Sequence, residues 1–243
     1  ATGFRAPNLD DAGKVFDSAP GVVVVPNPDL KPEYIYSADA GISKDFCELV
    51  LIELSAYYSH LTNAMIRHNF LFNGEDSIMY QGELSKVEAI TNSGSAKVYG
   101  LNVDLQANIL DNLRFKSSVN VTEGFEKGGI PLRHSTPVFG SIHFIYHNNK
   151  AEADLYSVFN GPKKYEQMAP SEIEKPYMYA SDENGNPWSP GWITLNLKAS
   201  CEIGSFLVIS GGVENILDLR YRPYSSGIAA SGRNFIISLR IKI

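Results

Sequence analysis

The end of the chain carries the feature that most limits its fold. From Leu207 to Val213, and again from Phe235 to Ile243, apolar residues alternate with polar or small ones. Such alternation places the two sets of side chains on opposite faces of a β-sheet. The apolar face continues to the final residue, whereas the other face carries Glu, Asn, Ser, Arg and Lys. This pattern is typical of a barrel strand whose outer face contacts lipid.

Similar alternation begins at Glu33 and predicts about nine strands from there to Ile243. Short turns are predicted near residues 44–47, 110–112, 147–150 and 201–205, and long loops near 61–97, 123–137, 160–191 and 217–231. Tight turns at one rim and long loops at the other indicate an antiparallel transmembrane barrel with its turns in the periplasm. Residues 1–32 contain five prolines, so we expect them to be irregular except for a short strand at 22–25.

Composition narrows the alternatives. Hydrophobic residues make up 44% of the 243 residues and charged residues 20%, and no stretch approaches the ~18–20 apolar residues of a spanning helix. A membrane location would therefore require a closed barrel, because only helices and barrels satisfy every backbone group in lipid. The formal net charge of −6 gives a nucleic-acid partner no electrostatic basis.

Four short motifs resemble those of a known family. They are GFRAPNL at 3–9, NPDLKPE at 27–33, ENILD at 214–218 and GRNF at 232–235, with Tyr221 between the last two. In order and approximate spacing they resemble the TonB-dependent outer-membrane receptors. The chain departs from the family at its end, since Ile243 stands where an aromatic residue is usual.

The resemblance implies an all-β fold, an antiparallel transmembrane β-barrel. Residues 1–243 would supply its C-terminal portion, about nine to ten strands of about 22. The implied partners are the plug domain, absent from this chain, the N-terminal barrel half, TonB indirectly, and the lipid bilayer of a Gram-negative outer membrane. The implied ligand is a metal chelate of the siderophore, haem or cobalamin class, and no cofactor is implied. The sequence does not distinguish among these ligands.

Candidate ligand-binding residues lie in the predicted outer loops. Arginines there can attract an anionic chelate, aromatic rings can grip a ligand, and the resemblance implies that loop histidines could contact haem. The candidates are Arg67, His68, Arg133, His134, Tyr177, Tyr179 and Trp188. For each of them an ordinary solvated loop side chain is the alternative. Residues 182–186, DENGN, offer oxygen ligands that calcium would accept, although a polar turn is the simpler interpretation.

No catalytic pattern is found in the sequence, which lacks a Ser–His–Asp, Walker or glycine-fingerprint arrangement, and no histidine pair has zinc spacing. We therefore expect no enzyme and no bound metal. Cys47 and Cys201 fall at predicted turns about five strands apart, too far for a disulfide. The alternative to a receptor is a soluble β-sandwich that binds a ligand such as a carbohydrate. In that fold the apolar faces would pack against each other.

Overall fold

The computed structural model describes residues 1–92 and 94–241. Ser93, Lys242 and Ile243 lie outside the described residues, and with them the expected continuation of the apolar face to the last position. Strands dominate the described chain, with two short α-helices and two single turns of 3-10 helix, at Tyr165–Gln167 and Pro176–Met178. The elements in chain order are β1 (Thr2–Arg5), α1 (Leu9–Ala12), β2 (Phe16–Ala19), β3 (Val22–Val24), β4 (Glu33–Phe46), β5 (Val50–Thr62), β6 (Met65–Asn69), β7 (Ser77–Tyr80), β8 (Glu83–Asn92), β9 (Ser95–Leu110), β10 (Leu113–Glu126), β11 (Phe139–His147), β12 (Ala151–Asn160), α2 (Pro170–Ile173), β13 (Ala180–Ser181), β14 (Pro187–Trp188), β15 (Trp192–Ile203), β16 (Leu207–Glu214) and β17 (Asn234–Ile241).

Ten of the strands form one sheet in the order β1-β4-β5-β9-β10-β11-β12-β15-β16-β17. The last nine of these are the strands expected from Glu33 onward, and consecutive strands from β10 to β17 pair antiparallel. Their short connections fall at 47–49, 111–112, 148–150 and 204–206, within a few residues of the predicted turns. The fold class is therefore confirmed, and the alternation of short and long connections with it.

The chain divides into two compact units, which are described separately. The first comprises residues 1–38, 58–99 and 124–132. Beside its share of the large sheet it contains a second sheet in the order β2-β3-β8-β6, with β7 also paired to β8. Strands β3 and β8 run parallel, with Val22 opposite Lys86. A small core joins them, formed by Val23, Val25, Val87 and Ala89 with Phe70, Ile78 and Tyr80 packed on it.

Two expectations for this unit were wrong. Residues 1–32 are not irregular apart from one strand, because β1 pairs with β4 and β2 pairs with β3. The predicted polar loop of residues 61–97 contains β6, β7 and β8. The strand expected at residues 22–25 is present as β3. Most of these strands have only three to five residues, which is too short for a clear alternating pattern. The ten-residue β8 is buried at consecutive positions, Val87, Glu88 and Ala89, so it does not alternate clearly either.

The second unit comprises residues 39–57, 100–123 and 133–243. In β15, the strand that begins the last three of this unit, the two faces differ in exposure. In β15, Ile193 is 56% exposed, whereas Thr194 and Asn196 are 5% and 4% exposed. Asn196 accepts a hydrogen bond from the backbone N–H of Asn215 at 2.8 Å and donates to Thr194 Oγ1 at 3.2 Å. In β17 the apolar residues Phe235, Ile237, Leu239 and Ile241 are 67–83% exposed, which is the exposure expected for lipid contact and not for a sandwich core.

Cys47 and Cys201 are both free and exposed. Among residues 1–92 and 94–241, no helix has the length and apolar character needed to cross a bilayer.

Candidate ligand-binding site

The longest connection of the second unit, residues 161–191, is a folded segment. Helix α2 and the 3-10 turn at 176–178 begin with Pro170 and Pro176, at positions where the missing N–H has no helical partner to lose. Strands β13 and β14 then form a small hairpin, with Ala180 opposite Trp188. The segment therefore presents its side chains from a defined backbone.

The turn of this hairpin is closed by Asp182. Its Oδ1 accepts hydrogen bonds from the backbone N–H groups of Asn184 and Asn186 at 2.9 and 2.8 Å. The bond from Asn186 is the main cause of the lowered pKa of Asp182. These contacts favour the polar-turn interpretation of residues 182–186 over a calcium loop. No group of three or more His, Cys, Asp or Glu side chains in the described part of the chain could hold a metal ion.

A buried carboxylate joins three outer connections of this unit. Glu172 in α2 is 1% exposed. Its carboxylate accepts hydrogen bonds from the Tyr224 hydroxyl and from the backbone N–H groups of His134 and Ala169, the last two at 3.2 and 3.3 Å. Because these donors come from the connections 127–138, 161–191 and 215–233, the Glu172 carboxylate holds the three together.

Two phenols close to Glu172, those of Tyr179 and Tyr224, have raised pKa values. Burial, followed by the hydrogen bond to Glu172, raises the pKa of Tyr224 far above its usual value. Burial also raises the pKa of Tyr179, and Arg133 lies close enough to oppose both shifts. Lys163 is 2% exposed, and its Nζ lies 5.9 Å from the centre of the Tyr224 ring. The Tyr224 hydroxyl donates to the Glu172 carboxylate, and this hydrogen bond favours the neutral form of the phenol.

Beside this cluster is an aromatic and cationic cavity of about 470 Å³. The Trp192 and Tyr221 rings lie in contact, with centroids 4.2 Å apart. Within the lining, the buried Trp192 Nε1 has no hydrogen-bond partner among the described residues. The same holds for Trp188 Nε1 and Arg133 Nε, which lie elsewhere in the unit. The side chains that give the cavity its character are Tyr177, Tyr179, Trp192, Arg220, Tyr221 and Arg222. Such a cavity is suited to a ligand with planar rings, negative charge and acceptor atoms.

The structure brings only part of the predicted set to this cavity. Tyr177 and Tyr179 line it. Trp188 lies in β14 but does not line it, and Arg133 and His134 lie at the Glu172 cluster. The imidazole Nδ1 of His134 is 4.0 Å from Glu172 Oε1.

Arg67 and His68 lie in β6 of the first unit, where each faces a carboxylate. Arg67 Nε is 3.9 Å from Glu88 Oε2, and its guanidinium lies over the Phe16 ring at 5.3 Å. His68 Nε2 is 3.0 Å from Glu126 Oε2. Within their unit Arg67 thus forms an ion pair, and the His68 imidazole lies beside a carboxylate.

Sequence reasoning missed Glu172, Tyr221 and Tyr224 as residues of the site. It placed Arg220 and Arg222 in a long loop where they could attract an anionic chelate, and it interpreted Trp192 as an interface anchor. The run LRYRPY at 219–224, in which arginines alternate with aromatic residues in a long loop, is the signal that could have found the two tyrosines. Glu172 has no such signal, because one charged residue in a single helical turn does not show that it will be buried.

Comparison with known proteins identifies the family of this chain. Residues 1–216 match the family model described as TonB dependent receptor-like, beta-barrel. The chain belongs to this family. The receptor family expected from the four motifs is thus confirmed. No curated protein matches the sequence.

Solved structures show the same fold. The copper transporter OprC superposes on this receptor-family chain with a TM-score of 0.74 at 14% identity, covering 99% of this chain and 35% of OprC. A mutant of the ferric enterobactin receptor PfeA from Pseudomonas aeruginosa, in complex with enterobactin, gives 0.72 at 17% identity, covering 99% and 37%. The siderophore receptor PirA from Acinetobacter baumannii gives 0.71 at 17% identity, covering 99% and 38%. The chain thus spans just over a third of the length of these proteins.

Proposed function

We propose that this chain forms the C-terminal part of an outer-membrane receptor barrel that takes up a metal chelate with energy supplied through TonB. The observation that carries the proposal is the cavity lined by Trp192, Tyr221, Arg220 and Arg222, built by outer connections of a chain in this family. PfeA, a structural neighbour, is described in complex with enterobactin, which supports a chelate as the ligand class.

The lining residues would act in different ways on such a ligand. Arg220 and Arg222 would attract negative charge, and the Trp192–Tyr221 pair would contact planar rings. The Trp192 indole N–H, which has no partner among the described residues, would donate to an acceptor atom of the ligand. From the predicted set, Tyr177 and Tyr179 are proposed as ligand contacts. A ligand role for Arg67, His68, Arg133, His134 and Trp188 stays a prediction.

The partners follow from the two faces of the strands. The exposed apolar face, with Ile193 and the odd-numbered residues of β17, would contact the lipid of a Gram-negative outer membrane. The polar face would contact the plug domain and, together with the N-terminal barrel half of the same receptor, enclose it. TonB would act on the plug and so on this chain indirectly. Residues 1–243 would then be one part of a single barrel.

The test uses the full-length receptor in a strain that lacks the chromosomal copy. Growth is measured with a catecholate siderophore, a hydroxamate siderophore, haem or cobalamin as the limiting source, and binding of the chelate that restores growth is measured on purified receptor. We expect Arg220→Ala and Trp192→Leu each to weaken binding about ten-fold or more. Lys164→Ala changes an exposed side chain outside the cavity and should leave binding unchanged. The proposal would be overturned if growth on none of the four sources depended on the receptor.

A further inference from the structure

The first unit carries a surface that neither the lipid nor the proposed ligand cavity explains. It consists of residues 17–21 and 71–85, here named the acidic tip. Parallel pairing of β3 with β8 brings the β2–β3 turn beside the β7–β8 turn, and the Lys86 N–H donates to the Gly21 carbonyl at 2.9 Å. The two turns line a cleft of about 470 Å³ that includes Asp17, Tyr80 and Glu83.

Large apolar side chains are exposed at the acidic tip. Met79 and Leu84 lie opposite each other in the β7–β8 pair and are 68% and 69% exposed, and Leu71 is 60% exposed. On the strands of the large sheet such exposure is explained by lipid. Here the neighbouring segment 73–76, NGED, is polar and exposed, which favours contact with water over contact with lipid. Grouped apolar residues exposed to water and bordered by polar ones are typical of protein interaction sites.

The acidic tip is also negatively charged, because its four carboxylates outnumber the one cation that directly follows it in β8, Lys86. It contains Asp17, Glu75, Asp76 and Glu83, and no Lys, Arg or His. All four carboxylates are exposed. An anionic lipid headgroup and the same tip of a second copy would both be repelled by this charge.

We propose that the acidic tip docks a polypeptide segment of another protein that combines basic and apolar side chains. A Lys or Arg of the partner enters the cleft between Asp17 and Glu83, and adjacent apolar side chains cover Met79 and Leu84. The interaction is independent of the chelate and would hold whichever ligand the receptor takes. It adds a protein-binding role to a part of the chain that the proposed uptake function does not use.

The test uses the full-length receptor in its own outer membrane, with a photoreactive benzophenone amino acid in place of Met79. After irradiation, adducts are mapped by mass spectrometry to the residue. The proposal predicts an adduct to a different protein, at a segment in which Lys and Arg outnumber Asp and Glu. The yield should fall about five-fold in Glu83→Lys and in Leu84→Ser, and should also fall as ionic strength rises from about 0.05 to about 0.5 M.

Matched controls lie in α1 of the same unit. Leu9 is 83% exposed and the Asp10 side chain 78% exposed. Leu9→Ser and Asp10→Lys therefore make corresponding changes outside the acidic tip, although Asp10→Lys also removes an exposed ion pair with Lys14. Both should leave the yield unchanged. Heat-modifiable electrophoretic mobility checks that each variant is folded. The proposal is overturned by an adduct within the receptor's own chain, to a second copy or to lipopolysaccharide. It is equally overturned by no adduct, or by an adduct insensitive to Glu83→Lys.

Discussion

The buried carboxylate of Glu172 should set the stability of the three outer connections that it joins. Replacing Glu172 by Ala leaves the Tyr224 hydroxyl and the backbone N–H groups of His134 and Ala169 without their acceptor. A hydrogen bond to a charged group contributes roughly 1.5–3 kcal/mol, and each buried N–H left unpaired costs about 1 kcal/mol or more. Since Tyr224 is only half-buried, water can recover part of its share. We therefore expect Glu172→Ala to lower the free energy of opening these connections by about 3–4 kcal/mol.

Hydrogen exchange on the detergent-purified full-length receptor measures this directly. At about 1.4 kcal/mol for each factor of ten, exchange should become about 150- to 700-fold faster for protected amides of residues 133–138, 161–191 and 215–233. Glu172→Gln keeps the shape and one acceptor oxygen, and should accelerate exchange by about ten-fold. Amides in β15 to β17 should not change. Glu166→Ala removes an exposed carboxylate of the same connection and serves as the control. Unchanged exchange in Glu172→Ala, or an equal change in Glu166→Ala, would refute this account of the cluster.

Two further predictions concern the alkaline behaviour of the cluster and the packing of the strands. The folded state raises the pKa of Tyr224. Its protonated form therefore stabilises the fold below the usual tyrosine pKa of ~10, and this contribution is lost as pH rises above that value. Absorbance titrations at 295 nm of the wild type and of Tyr224→Phe should coincide up to about pH 11, and a difference of one ionising phenol near pH 10 would contradict the raised pKa. A Cβ added at Gly140 would lie 2.8 Å from the Phe159 ring and against the backbone of the neighbouring strand. Gly140→Ala should therefore lower the yield of heat-modifiable folded receptor several-fold. Gly227→Ala is the control, because its Cβ meets nothing within 4 Å, and equal yields for the two variants would show that the strands do not pack this closely.

The strands of the large sheet could be predicted because their two faces differ so sharply. In β15, a residue that contacts lipid, such as Ile193, must be apolar, and its neighbours Thr194 and Asn196 must find polar partners inside. That requirement repeats every second residue and survives in the sequence as alternation. It predicts the nine strands of this sheet from β4 to β17 and their short turns without any knowledge of tertiary contacts, whereas β1, with four residues, is too short to be predicted in this way.

The five-stranded sheet could not be predicted in the same way. Its central pairing joins β3 to β8, with Val22 opposite Lys86, and parallel pairing over such a sequence distance leaves no local signal. Its strands are also buried on both sides near the centre, since Val23, Val24 and Glu88 are all buried. Two-sided burial removes the alternation that identified the other strands.

The candidate site was predictable only where a residue type is informative in itself. Tyr177 and Tyr179 were found because aromatic residues in a long loop are conspicuous. The contact between Trp192 and Tyr221 depends on how the ends of two separate connections approach each other. The same holds for Glu172 and Tyr224, which lie 52 positions apart. Pairings of this kind follow from the folded loops and not from the composition of either one.

The outward orientation of the apolar faces is tested most directly on β17. Nitroxide labels are placed one at a time at positions 235–241 of the full-length receptor in liposomes, and collision rates with oxygen and with a polar nickel chelate are measured. Phe235, Ile237, Leu239 and Ile241 are 67–83% exposed, whereas Ile236 is 40% exposed. The account predicts a period of two, with high oxygen and low nickel accessibility at the odd-numbered positions. Odd-numbered positions shielded from both reagents, as in a protein core, would contradict it.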